Sequence, residues 1–188
     1  GKLVAYSSEK VLCRLATDYV SGFQKSINTQ QGLSYCYKAS GSDEIGVIRS
    51  ARDGYKNAVV KNLDVTMYPR PNEKLVCRET SFGVLIDAEK RIYDLGCERA
   101  GILHIEYRAP AGERFAVVFG EYVQDDGNLM RRFEHHDYSV YYEGNGDFVK
   151  HVAYLKRIGC RYLQVVGDHV EIKRIGLKET EYPVTAIP

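Results

Sequence analysis

The stretch Ile102-Leu103-His104-Ile105-Glu106-Tyr107-Arg108-Ala109-Pro110-Ala111-Gly112-Glu113-Arg114-Phe115-Ala116-Val117-Val118-Phe119-Gly120 decides the fold class. Leu103, Ile105 and Tyr107 alternate with His104, Glu106 and Arg108. Successive side chains of a strand point to opposite faces, so a period of two predicts a half-buried strand. Pro110-Ala111-Gly112-Glu113 reads as a turn. The segment after it carries Phe115, Val117 and Phe119 on one face and Ala116 and Val118 on the other. Apolar residues on both faces predict a central strand covered on both sides.

Strand signals run outward from this pair, from about Leu85 onward. Gln124-Asp125-Asp126-Gly127-Asn128 reads as a tight reversal, because Asp-Gly supplies the turn geometry. A strand over 137–144 leads to a second reversal at Gly144-Asn145-Gly146-Asp147. Three further strands are predicted over 149–157, 161–167 and 169–177. Gly112, Gly127 and Gly144 suit turns with positive φ. Short strands spaced by Gly-rich turns predict an all-β chain, a β-sandwich of jelly-roll or supersandwich type.

The first third is less regular. Residues 7–19 carry Val11, Leu12 and Leu15, which fit either a short helix capped by Ser8 or a strand of poor alternation. Residues 40–57 read as loop. Tyr68-Pro69-Arg70-Pro71-Asn72 is a stiff extended connector, since each proline fixes its own φ and biases its predecessor away from the helical region. The division expected is therefore a partial or flanking β-rich segment over 1–72, with its linker at 68–72, and a sandwich over 73–188. The chain opens on Gly1 rather than Met, as a piece of a longer protein would. The lack of a signal peptide then carries no information on location.

Composition narrows the function classes. Hydrophobic residues make up 44% of the 188, enough for a real core. The formal charge of +1 gives no reason to expect nucleic acid or an anionic membrane as partner. No apolar run approaches the ~18 residues of a membrane span. Cys13, Cys36, Cys77, Cys97 and Cys160 are odd in number and irregularly spaced, so they read as buried free thiols rather than a disulfide framework. Without a CxxC pair they do not suggest a zinc knuckle.

No nucleophile elbow, phosphate loop or HExxH pattern is present. His135 and His136 are adjacent, and in a strand they would point to opposite faces and not chelate one ion together. His104, His151 and His169 are scattered and read as surface residues on strands. No metal site is assigned. Calcium is the one cofactor suggested, by the clustered oxygens of Asp125, Asp126 and Asn128, but further ligands are lacking and a hairpin turn is the simpler reading. Among 25 acidic residues no pair stands out, so no catalytic residue is nominated. The 15 tyrosines, with no tryptophan, offer flat rings for a sugar. Tyr138, Tyr141 and Tyr142 read first as sheet surface.

From Arg91 to Gly167 an ordered series of motifs resembles the β-sandwich region ahead of the catalytic barrel in bacterial α-L-rhamnosidases. The carrying residues are Asp94-Leu95-Gly96, Gly101, Ala109-Pro110-Ala111-Gly112, Phe119-Gly120-Glu121, Asp126-Gly127, Asp137-Tyr138, Gly144, Gly159-Cys160-Arg161-Tyr162 and Gln164-Val165-Val166-Gly167. Phe119 and Cys160 depart from the family's Tyr and Phe, and the residues before Gly159 lack its usual proline and aromatic residues. The resemblance implies an inverting glycoside hydrolase releasing terminal α-L-rhamnose, periplasmic or secreted or else cytoplasmic. Its acid and base belong to a later helical barrel, whose Asp-Glu-Arg motif is absent from this sequence. The expected role is a non-catalytic accessory domain supporting that barrel, its partner. The alternative is a module binding rhamnose-containing carbohydrate, with Glu121, Asp125, Asn128, Arg131, Arg132 and Tyr138 as candidate sugar contacts. An independent small hydrolase is the third and least supported reading.

Overall fold

The computed structural model describes residues 10–13, 17–21, 35–39, 55–59, 68, 74–134 and 136–182. All regular structure among them is strand. The strands are β1 (Leu12–Cys13), β2 (Tyr19–Ser21), β3 (Tyr35–Lys38), β4 (Lys56–Asn57), β5 (Val76–Phe82), β6 (Val84–Asp87), β7 (Ile92–Arg108), β8 (Arg114–Gly120), β9 (Arg132–Phe133), β10 (His136–Asp137), β11 (Ser139–Glu143), β12 (Phe148–Val166) and β13 (Glu171–Glu181). β1 pairs with β4 and β9 with β10 in small ribbons. The other nine form one sheet in the order β2-β3-β11-β8-β12-β7-β13-β5, with β6 also on β7. At Leu12–Cys13 the chain is strand and not helix; Ser8 and residues 69–72 of the connector lie outside the described residues. β3, from the first 72 residues, runs parallel to β11 within this sheet.

β7 and β12 are the two long strands, of 17 and 19 residues. They pair antiparallel in three stretches separated by two irregularities. At one, residues 153–156 of β12 stand opposite Leu103 alone; at the other, residues 95–98 of β7 stand opposite Arg161 alone. Such bulges bend a strand and raise its twist. The doubled ladder thereby turns a corner and serves two layers. One layer joins 101–108 of β7 to β13, which carries β5. The other joins 162–166 of β12 to β8, then β11, β3 and β2. The segments 149–157 and 161–167, expected as two strands, are thus one bent strand.

The core lies between the layers. Leu103, Ile105, Tyr107, Ile175 and Leu177 face Phe115, Val117, Val140, Tyr142, Leu163 and Val165, all buried in one cluster. Each such side chain contributes roughly 1.5–3 kcal/mol on leaving water. Rings bridge the layers: Tyr107 meets Phe115 edge-on at 4.8 Å and Tyr142 at 5.5 Å. β8 is covered on both faces, as its sequence predicts, with Ala116 and Val118 buried on the side away from this core.

Several surface assignments give way. Tyr142 is fully buried and Tyr141 nearly so. His104 and His151 are only 6% exposed, whereas His169 is exposed. His151 faces Ile105 across the ladder and therefore points inward with it. It stacks on Tyr37 at 3.7 Å between centroids and lies within hydrogen-bond reach of the Tyr19 and Tyr142 hydroxyls. His104 sits on the opposite face, against Thr80 Oγ1 at 2.8 Å and near Glu106, which accepts from Arg174. Of the five thiols, Cys36 and Cys160 are buried, and Cys13, Cys77 and Cys97 are exposed. Gly112 and Gly127 do have positive φ, but Gly144 does not. Gly144 is needed for close approach, because a Cβ there would lie 2.5 Å from both the Ala109 and Pro110 carbonyl oxygens.

Two predictions arise from this packing. Gly144→Ala should cost about 2 kcal/mol or more in urea denaturation, since the Cβ meets backbone and not a flexible side chain. Burial pushes the His151 pKa down to about 3 from its usual 6.5. The unfolded chain therefore takes up a proton below pH 6.5 that the folded chain refuses. The stability this residue confers is full above pH 6.5 and falls as pH drops toward about 3, by on the order of 4 kcal/mol. His151→Phe should flatten the acid limb of a stability–pH profile across that window; an unchanged limb would show that other groups govern it.

Candidate functional site

β8 ends at Gly120, and a loop over 121–131 leads from it to β9. The loop is built by its own polar groups. Gly127 N–H donates to the Gln124 carbonyl at 2.9 Å, and Gln124 N–H to the Asn128 carbonyl at 2.8 Å. The Asp126 carboxylate accepts from the Asn128 backbone N–H and its side-chain amide, which hold the carboxyl below its usual pKa. Gln164 of β12 ties the loop down. Its amide NH2 donates to Asn128 Oδ1 and the Lys90 carbonyl, and its oxygen accepts from Leu129 N–H at 2.9 Å. The Asp125–Asn128 segment is thus a tight turn, though not the hairpin expected, because β8 and β9 on either side of it do not pair with each other; its Asp126 and Asn128 oxygens are engaged by Asn128 and Gln164. Among the described residues no group of three His, Cys, Asp or Glu side chains gathers.

Beside this loop lies a cavity of about 230 Å³. Phe119 and Tyr138 line it, their rings edge-to-face at 6.0 Å, together with Met130. Glu121 and Tyr122 line it too and are both exposed, Tyr122 at 59%. Gly120 and Gly159 complete the lining without side chains. Lys156, from the bulge of β12, holds its ammonium 5.4 Å from the Phe119 ring centroid and donates to the Ser139 carbonyl at 3.4 Å. Burial lowers its pKa, against the opposing pull of Asp137.

The six candidate sugar contacts are divided by this geometry. Glu121 and Tyr138 share the cavity. Asp125 lies in a neighbouring shallow depression with Tyr122, Val123, Gln124 and Asp126. Asn128 is tied to Asp126 and Gln164. Arg131 donates to the Tyr141 hydroxyl at 2.8 Å, and Arg132 to the buried Asp137 carboxylate at 3.3 Å. Tyr141 O–H also donates to Asp137, so the two arginines brace a buried pair. Phe119, Met130, Lys156 and Gly159 were beyond sequence reasoning, because they converge from β8, the loop and β12. The adjacency of Gly120, Glu121 and Tyr122 was the one local signal.

The family model of the bacterial α-L-rhamnosidase concanavalin-like domain matches residues 85–181, just over half of the chain. The chain belongs to this family. No curated protein matches it. Among solved structures, the α-L-rhamnosidase of Dictyoglumus thermophilum is similar with a TM-score of 0.64 and 16% identity, over 81% of this chain and 19% of that one. The Streptomyces avermitilis α-L-rhamnosidase, solved with L-rhamnose, gives 0.60 and 15%, over 82% and 17%. The Aspergillus terreus enzyme gives 0.55 and 15%, over 79% and 18%. At these identities the likeness is one of fold, and the chain spans less than a fifth of each relative's length.

Several residues that carry the resemblance have structural work at the corner of the sandwich. Arg161 forks onto Asp94 with 3.0 and 2.9 Å hydrogen bonds, and Gly96, at φ +82°, donates its N–H to the same carboxylate at 2.7 Å. Arg161 is the residue that stands alone opposite the 95–98 bulge, and Leu95 within that bulge is buried in the core. The Asp94 carboxyl is held below its usual pKa chiefly by Arg161.

Gln164→Leu keeps the side-chain bulk but strands the Leu129 N–H. It should cost about 2 kcal/mol and speed amide exchange over 124–129, read by hydrogen-exchange mass spectrometry, while β11 and β13 stay protected.

Proposed function

We propose that this domain is a non-catalytic support for the barrel of an α-L-rhamnosidase-like glycoside hydrolase, holding that barrel as its partner. The observation that carries the reading is how its carboxylates are used. Inverting hydrolysis needs an acid with a raised pKa facing a second, ionised carboxylate across a substrate-sized gap. Among the described carboxylates with a shifted pKa, every one is shifted down. Arg161 lowers Asp94, Arg174 lowers Glu106, Arg114 lowers Glu143, and Asn128 lowers Asp126. These acids are structural ions, paired with arginine or a turn amide, and none is poised to give up a proton to a leaving group. The reading needs no cofactor and no nucleic acid or membrane partner.

The 188-residue chain should melt in one cooperative transition and release no chromophore from an aryl α-L-rhamnoside; turnover by the purified chain would overturn the non-catalytic reading. Joined in one polypeptide to such a barrel, it should raise the barrel's Tm by several degrees. Two unchanged, independent transitions would overturn the support role.

A further inference from the structure

We propose that the cavity lined by Phe119, Glu121 and Tyr138 is a binding site for a single neutral pyranose ring. This goes beyond the support role and does not depend on it. The argument starts from its two glycines. Gly120 and Gly159 lie within strands, where glycine lowers stability and commonly marks the close approach of another group. Neither has a positive φ. A Cβ at Gly120 would find its nearest neighbour at 3.7 Å, and one at Gly159 at 3.9 Å, both ordinary contacts. The backbone thus requires glycine at neither position, in contrast to Gly144. Both glycines line the cavity. A Cβ at Gly120 would turn toward Leu129 and the Tyr122 carbonyl, whereas one at exposed Gly159 would meet only the Arg99 carbonyl, so Gly159 is the position where a side chain has open space beside the cavity.

The remaining lining sets the ligand class. A volume of about 230 Å³ is below the ~300–1,000 Å³ of pockets for drug-sized ligands, so it suits one ring and not a chain. Half-buried Tyr138 supplies apolar ring surface for the C–H face of a pyranose and a hydroxyl donor or acceptor, while Phe119, only 9% exposed and edge-to-face with it, forms the apolar floor. Glu121, exposed beside them, accepts from sugar hydroxyls in charge-assisted hydrogen bonds. The same carboxylate disfavours an acidic sugar. Lys156, the nearby cation, is turned to the Ser139 carbonyl and the Phe119 ring.

The test is an amide NMR titration of the 188-residue chain with methyl α-L-rhamnopyranoside, methyl α-D-glucopyranoside and, as charged control, sodium D-galacturonate. At least one neutral glycoside should give saturable shifts at Gly120, Glu121, Tyr122 and Gly159 with a millimolar Kd, and galacturonate should bind at least tenfold more weakly. Gly159→Val should abolish those shifts while Tm holds or rises, because a β-branched residue suits a strand better than glycine. Tyr138→Leu, read the same way, replaces it should the valine variant fail to fold. Absence of saturable shifts with both neutral glycosides would overturn the site. So would shifts that survive a folded variant, and tighter binding of galacturonate would overturn the neutral class.

Discussion

The antiparallel ladder between β7 and β12 is the constraint on which the rest of the molecule depends. Both strands are long enough to belong to two layers, and both are bent by bulges that lie at different points along the ladder. The layers are therefore parts of one hydrogen-bonded sheet folded over its own core. The bend is fixed by polar contacts in one bulge and by burial beside it. Arg161 and Asp94 lock the outer side of the bulge, Arg99 donates to the Leu95 carbonyl at 3.2 Å, and Leu95 itself reaches into the core. The ion pair is partly exposed, so its worth is geometric more than energetic. It fixes which residues of β7 and β12 turn inward on either side of the corner.

The inward set on β12 records that corner directly. Val149, His151 and Ala153 are buried, then Ile158 and Cys160, then Leu163 and Val165. The phase of the alternation changes at each irregularity. Without the first change, the residues after the bulge would present their polar neighbours to the core. The buried His151 belongs to the same logic: its register opposite Ile105 commits it to the interior, where three tyrosines surround it and the imidazole stays neutral. Cys160, likewise inward, has its thiol pushed up to about 12 by burial and behaves as a small apolar side chain.

The candidate site is a by-product of this corner and of one buried glutamine. β8 stops at Gly120 opposite Tyr162 of β12, just past the second irregularity of the ladder. The loop that continues from it is held by Gln164, so Glu121 and Tyr122 are presented at a defined place next to Tyr138. The residues that carry the sequence resemblance divide accordingly. Asp94, Gly96, Arg161, Gly144 and Gln164 serve the frame. Gly120, Glu121 and Tyr138 line open space.

The sequence by itself determined the strand character of 102–120, the turn at 110–113, the reversal at 124–128 and the all-β class. These are local properties: a period of two and the turn chemistry of Pro, Asp and Gly act over a few residues. The ordered motifs also pointed to the right family. Tertiary structure alone decided that 149–157 and 161–167 are one strand, that His104, His151 and Tyr142 are buried, and that only two of the six candidate contacts share a cavity. Each of these depends on which residue lies opposite across the ladder and on where a bulge shifts the phase. Neither is written in the alternation of a single segment, because a one-residue slip moves every side chain to the other face.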